Sequence, residues 1–223
     1  MREIVFDTET TGLSPDDGHR LVEIGCVELV NRIETGRTFH VYINPERPMP
    51  KEAEAVHGLS DAFLADKPRF AEVVNDFLAF IGKDQLVAHN AMFDMGFINA
   101  ELRKCGKPPI FIERATDTLA IAREKLPGAK HTLDALCTRF GIDRSMRVHH
   151  GALLDAQLLA QVYVELLGGR QIGFDLVAEV SGASVQLVER PYREPRPHSA
   201  SEAELARHAE FVAKLKDPVW LLA

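Results

Sequence analysis

Hydrophobic positions along the chain change period repeatedly, and each change marks an element. Ile4, Val5 and Phe6 form an unbroken β-forming run, which predicts a buried central strand continuing through Asp7, Thr8 and Glu9 to Thr10. Leu21 to Val30 predicts a second strand. Thr38 to Ile43, where Phe39, Val41 and Ile43 alternate with His40 and Tyr42, predicts a third, and Asn31 to Gly36 reads as the turn between them. These three strands make an antiparallel meander, ended by Pro45, Pro48 and Pro50. Short helices are expected from Lys51 and after Ser60, whose hydroxyl suits an N-cap. Phe70, Val73, Val74, Phe77, Leu78 and Ile81 recur at helical spacing and stop at Gly82, predicting an amphipathic helix. Leu86-Val87-Ala88 is a short buried strand, and Met92 to Lys104 continues from it as helix, so the layering is α/β.

Further on, Ala115 to Thr118 opens a helix that runs to Lys125 and is broken by Pro127-Gly128. Thr132 caps a helix carrying Leu133, Leu136 and Phe140, closed by Gly141. Leu158, Leu159, Val162 and Leu166 share one face of a helix that opens at Ala152 and ends at Gly168-Gly169, and the first domain, 1–169, closes there. Residues 170–199 hold Pro191, Pro195 and Pro197 among alternating charges without periodicity, which predicts a linker. In the tail, 200–223, Ser201 and Glu204 form a capping box. Leu205, Ala209, Val212, Ala213 and Leu215 then line one face of a last helix before Pro218.

Composition narrows the possibilities. With 46% hydrophobic residues in 223, one good core can be buried with a tail left over. A net charge of -7 excludes a protein that holds nucleic acid by coating it with Lys and Arg. The three cysteines, Cys26, Cys105 and Cys137, are far apart among apolar residues and read as reduced core positions. The first strand begins almost at Met1, leaving no room for a signal peptide, and no apolar run reaches membrane-spanning length, so a cytoplasmic location is expected.

The chemistry lies where the apolar runs are interrupted. On a strand, Asp7 and Glu9 point to one face about 7 Å apart and Thr8 points away. Two such carboxylates repel unless a cation sits between them. Asp94 lies between Phe93 and Met95, and Asp155 follows Leu153 and Leu154, so both acids belong to positions that should be buried. A single first-turn acid would serve as a helix-dipole partner. Four converging, buried and unpaired carboxylates favour two divalent ions, and oxygen-only ligands select Mg²⁺ or Mn²⁺ over zinc. Two such ions roughly 4 Å apart suit phosphodiester hydrolysis, which also needs a base. His149 and His150 are in reach. On a continuous helix His150 and Asp155 would diverge by about 140°, so the base must come from the loop before that helix, where Gly151 frees the backbone. His150 is taken as this base, an imidazole's ordinary pKa of about 6.5 suiting it.

Phe6-Asp7-Thr8-Glu9-Thr10-Thr11-Gly12-Leu13, His89-Asn90-Ala91-Met92-Phe93-Asp94 and His150-Gly151-Ala152-Leu153-Leu154-Asp155 resemble the three motifs of the DEDDh, DnaQ-like 3′→5′ exonucleases, and the likeness runs from Arg2 to about Gly169. It implies a ribonuclease H-like fold: a mixed five-stranded sheet flanked by helices. It further implies metal ligation by Asp7, Glu9, Asp94 and Asp155, with His150 as general base. By the same resemblance, Thr10, Gly12, Leu13, His57 and Phe93 bind the terminal nucleotide of a single-stranded or frayed DNA 3′ end. Gln171, Phe174 and Leu176 resemble a motif for docking on a sliding clamp. The tail, through Leu205, Val212 and Trp220, resembles the segment by which proofreading subunits bind the polymerase alpha subunit, and a small third subunit is left open. Proofreading in a replicative polymerase is therefore the expected function. The motifs also admit a free-standing exonuclease acting on RNA ends or short oligonucleotides, or a chain that is mainly a tether between clamp and polymerase.

Overall fold

The structure, a computed structural model, describes residues 1–145, 150–169 and 199–216. The chain divides into two compact units, Met1–Phe174 and Asp175–Ala223. In the first, β1 (Arg2–Thr10), β2 (Leu21–Val30), β3 (Ile33–Tyr42), β4 (Gln85–Ala88) and β5 (Ala115–Asp117) form one sheet of five strands in the order β3-β2-β1-β4-β5. β1 runs antiparallel to β2 and parallel to β4, and β4 runs parallel to β5. The helices of this unit are α1 (Lys51–His57), α2 (Asp61–Leu64), α3 (Phe70–Ile81), α4 (Ala91–Lys104), α5 (Thr118–Lys125), α6 (Leu133–Phe140) and α7 (Ala152–Leu166). This is the α/β arrangement expected, a mixed sheet flanked by helices.

The alternation of β1 decides which helices cover which face. Ile4 and Phe6, with Ile24 and Cys26 of β2, pack against Phe70, Phe77 and Ile81 of α3 and Phe97, Ile98 and Leu102 of α4. Val5, with Val27 and Val87, faces the other way and meets Ala156, Leu159, Ala160 and Tyr163 of α7. The small Ala156 and Ala160 let α7 lie close to the sheet.

Two strand expectations are corrected. β2 and β3 are joined by Asn31 and Arg32 alone, with φ of 53° and 65°, a tight two-residue hairpin turn rather than a six-residue one. β3 therefore starts at Ile33, five residues early; its first half is exposed edge strand with no apolar alternation to announce it. β5 stands where the sequence pattern predicts the start of a helix: three half-buried residues at the opposite edge are too short to show a period. Ser60, Thr132 and the Ser201–Glu204 box cap their helices as expected, with Ser60 Oγ accepting from Phe63 N and Thr132 Oγ1 from Ala135 N.

The second unit, by itself, contains α8 (Glu202–Val212), on which Leu205 and Phe211 are more than half exposed and Val212 is buried. The expected linker, apart from Ser199, lies outside the described residues. Among the described residues no helix is long and apolar enough to cross a membrane.

The polar loop after β1 is tied down by one buried pair. Glu101 of α4, 2% exposed, takes a two-point contact from the Arg20 guanidinium, Nε to Oε1 at 2.5 Å and Nη2 to Oε2 at 2.9 Å. Arg20→Ala would leave that carboxylate buried with, among the described residues, only Lys104, 3.5 Å away, in reach. It should destabilise the protein by roughly 2–3 kcal/mol, read by urea unfolding; a change below about 0.5 kcal/mol would show that solvent already reaches Glu101.

Candidate active site

Asp7 and Glu9 lie on the α7 face of β1, opposite Gly25 and Glu23 of β2. Gly25 is there because the helix is: a Cβ on it would lie 2.2 Å from Leu153 N and 2.3 Å from Ala152 C. The first turn of α7 therefore rests on bare backbone beside Asp7. At its other end, the Tyr163 hydroxyl donates to Glu3 Oε1 at 2.7 Å. The spacings agree. Asp155 to Tyr163 is about 12 Å of helix and Asp7 to Glu3 about 13 Å of strand, so a helix running antiparallel to β1 and fixed at both ends holds Asp155 over Asp7.

Asp94 arrives from the other side. The chain leaves β4 through Asn90, whose φ of 69° is left-handed and whose amide donates to Asp117 Oδ1 at 2.9 Å. That sharp turn starts α4 at once and puts Asp94 in its first turn. There it is 3% exposed and accepts from Thr8 Oγ1 at 2.6 Å. Thr8 points away from Asp7, so Asp94 reaches the site round the end of the sheet. Asp117 also accepts from Leu119 N at 2.9 Å, so one carboxylate secures the starts of both α4 and α5.

His150 is held in the segment before α7. Its amide donates to Val56 O at 3.3 Å, and Nδ1 is 3.2 Å from Asp155 Oδ2, with about half the side chain exposed. One ligand atom each from Glu9, His150 and Asp155 lie within 4.8 Å of one another. His89, in the second motif, is excluded as a base. Burial lowers its pKa, and both ring nitrogens are engaged: Nε2 donates to His131 O and Nδ1 lies beside Thr118 Oγ1, each at 2.8 Å.

Asp7, Glu9, Asp94, His150 and Asp155 thus line one cleft of about 570 Å³, with Thr8, His89, Asn90, Phe93 and residues of α5 and α6. Desolvation, then the charges of Asp94, Glu9, Asp155 and Glu23, push the Asp7 carboxyl well above its ordinary value. Burial raises Asp94 to about 7 against the lowering effect of the Thr8 hydroxyl. Clustered carboxylates that resist ionisation are a donor set for hard divalent cations.

The other expected contact residues are placed differently. Thr10 is buried and its Oγ1 donates to Gly12 O at 2.6 Å, while a Cβ on Gly12 would meet the His19 ring at 2.3 Å. Leu13 is 86% exposed, and His57 is buried with Nδ1 accepting from Leu59 N at 3.0 Å. Phe93 lines the cleft; these four do not. Gln171, Phe174, Leu176 and Trp220 lie outside the described residues. Thr8 and Arg123 are cleft residues that motif reading passed over. Thr8 sat between the two acids, and Arg123 lies one helical turn beyond Leu119, after a strand too short to be noticed.

Residues 4–163 match the family described as Exonuclease. The chain is 48% identical to the DNA polymerase III subunit epsilon of Rickettsia typhi over 222 residues, 96% of this chain and 97% of that one. It is 45% identical to the subunit of the same name from Escherichia coli K12, covering 93% and 90%. Among solved structures, Exonuclease X in complex with 5′ overhanging duplex DNA superposes with a TM-score of 0.59 at 28% identity, covering 74% of this chain and 90% of that one. The nuclease domain of 3′hExo, a DEDDh family member bound to rAMP, gives 0.64 at 20%, covering 74% and 91%. The chain belongs to the exonuclease family, with its ribonuclease H-like fold, and is a 3′→5′ exonuclease of the DEDDh, DnaQ-like class, a class that uses divalent metal ions. Within that class its relatives place it with the DNA polymerase III epsilon subunits.

Two outcomes follow from this geometry. Gly25→Ala must shift the start of α7, since the clash is with backbone; exonuclease activity should fall roughly a hundredfold while circular dichroism stays folded, and unchanged activity would show that the helix yields without moving Asp155. The raised carboxyl pKa values make the metal-free protein less stable as pH rises from about 4 through about 7, because the folded state binds the extra protons over that range. Adding Mg²⁺ or Mn²⁺ to EDTA-treated protein should raise its melting temperature by several degrees at pH 8 and scarcely at pH 5. Equal shifts at both values would place the ion elsewhere.

Proposed function

We propose that this protein is the proofreading exonuclease of a replicative DNA polymerase, removing mispaired nucleotides one at a time from DNA 3′ ends. The observation that carries this reading is the convergence of Asp7, Glu9, Asp94, Asp155 and His150 in one cleft, in a chain similar to epsilon subunits over nearly its whole length. The four carboxylates would hold two divalent cations, Mg²⁺ or Mn²⁺. When bound, these neutralise the acids and the phosphate and make water a stronger nucleophile. The remaining work falls to the chain itself. Asp155 at Nδ1 orients the His150 ring, leaving Nε2 to take the proton from the attacking water. Water oxygen bonds to phosphorus as the bond to the 3′ oxygen breaks, releasing a 5′-mononucleotide and a shortened strand with a 3′ hydroxyl. Phe93 on the cleft wall, with Leu13 exposed on the loop after β1, would contact the terminal base, while Thr10 and Gly12 would act through that loop's shape and His57 from the end of α1. Selectivity needs no reading of the mismatch, because a mispaired terminus unstacks at lower cost.

The C-terminal segment fits docking on the polymerase alpha subunit. α8 exposes Leu205 and Phe211, apolar side chains of the kind that anchor a helix in a groove. Gln171, Phe174 and Leu176 would engage the sliding clamp, and Trp220 would add to the alpha contact with Leu205, whereas Val212, expected beside them, is buried in this structure.

The test uses the full chain on 3′-labelled DNA with paired or mispaired ends, beside a matched RNA. Mispaired DNA should be shortened fastest. Asp7→Ala should lower the rate by about a thousandfold while melting no lower than wild type in EDTA, since it removes a repelled carboxylate. Near-normal cleavage by that variant would overturn the metal assignment, and a preference for RNA would overturn the proofreading role.

A further inference from the structure

The acids make only part of the cleft. The rest of its lining comes from α5 and the segment entering α6: Leu119, Arg123, His131, Thr132 and Leu133. Of the two bases among these, His131 is committed to its own segment, with Nε2 donating to Leu126 O at 2.8 Å while its carbonyl holds His89. Arg123 is different. It is exposed, and among the described residues it makes no hydrogen bond or ion pair. An exposed guanidinium with five donors on the wall of a cleft that admits a polyanion is placed for a phosphate. Its position also says which phosphate. Arg123 lies on the α5 wall and, among the described residues, forms no ion pair with Asp7, Glu9, Asp94 or Asp155. The phosphodiester being cut sits at those acids, and a strand leaving them past the α5 wall would bring another phosphate to the guanidinium.

We infer that Arg123 binds an internal, uncleaved phosphate of the single strand, fixing how the strand lies while its last nucleotide is removed. This rests on the reading of the acids as the cleavage centre. It adds a strand-positioning contact to a protein whose net charge of -7 otherwise works against nucleic acid.

The experiment compares two substrates on the full-length protein and its Arg123→Ala, Arg123→Lys and Arg123→Glu variants. One is a single-stranded oligodeoxynucleotide. The other is the p-nitrophenyl ester of thymidine 5′-monophosphate, whose only phosphate is the one cleaved. Arg123→Ala should raise KM for the oligonucleotide about tenfold with kcat within about twofold. Arg123→Glu should raise it further and Arg123→Lys should restore most of it. The slope of log kcat/KM against log salt should become shallower by about 0.7 in Arg123→Ala. Hydrolysis of the ester should stay within about twofold of wild type. Equal losses on both substrates would put Arg123 on the cleaved phosphate or in the fold, and no loss on either would make it a solvated side chain; both overturn the inference. Wild-type protein inactive on both substrates would instead overturn the reading of the acids, and this inference with it.

Discussion

Mutual repulsion among carboxylates at the end of one central strand is the constraint that the rest of the molecule answers to. Asp7 lies near Asp94, Glu9, Asp155 and Glu23 in a partly desolvated cleft, and no chain assembles such a group for stability. The opposing work comes from the apolar faces of the sheet, where α3 and α4 pack on one side and α7 on the other. Local relief is supplied piece by piece. Thr8 donates to Asp94, and His40 Nε2 lies 2.7 Å from Glu23 Oε1 on the neighbouring strands. What remains unrelieved is the affinity of the site for cations.

The site also depends on where it sits in the topology. β1, β4 and β5 are parallel, and their C-terminal ends open on one edge of the sheet. Loops at such ends collect ligand-binding groups, and β4 and β5 each deliver a helix start there. In this protein the starts are locked to one another through Asp117, which serves both Asn90 and Leu119. Asp94, on the α4 side, and Asp155, on the α7 side, belong to opposite faces of the sheet and meet only because both helices begin at the same edge. A cleft that spans both faces can then place the acids beside one wall of different character, formed by α5 and the entry to α6, where Arg123 lies.

Tight approach, rather than any single hydrogen bond, sets the distance between α7 and β1. Gly25 removes the side chain that would keep them apart, and the Tyr163–Glu3 bond stops the helix sliding along the strand. His150 follows from the same placement, because the segment carrying it is pinned to Val56 of α1 and leads directly into that helix.

Period and capping residues determined most elements of this protein by themselves, since α3, α6, α7 and α8 are marked by helical spacing and by Thr132, Gly141, Ser201 and Glu204. The four acids were legible too, because a charge inside an apolar run has few reasons to be there, and His150 because a base within reach of Asp155 has to come from the loop before that helix. Tertiary structure decided the rest. β5 and the first half of β3 exist because a neighbouring strand offers hydrogen bonds, which three half-buried residues or an exposed edge do not advertise. The turn at Asn31-Arg32 carries no glycine to signal its positive φ angles. Arg123, His131 and Thr8 acquire meaning only from what lies across the cleft, and Gly25 only from a helix more than a hundred residues further along the chain. Local sequence encodes local conformation; contacts between distant segments depend on packing, which no window of the sequence contains.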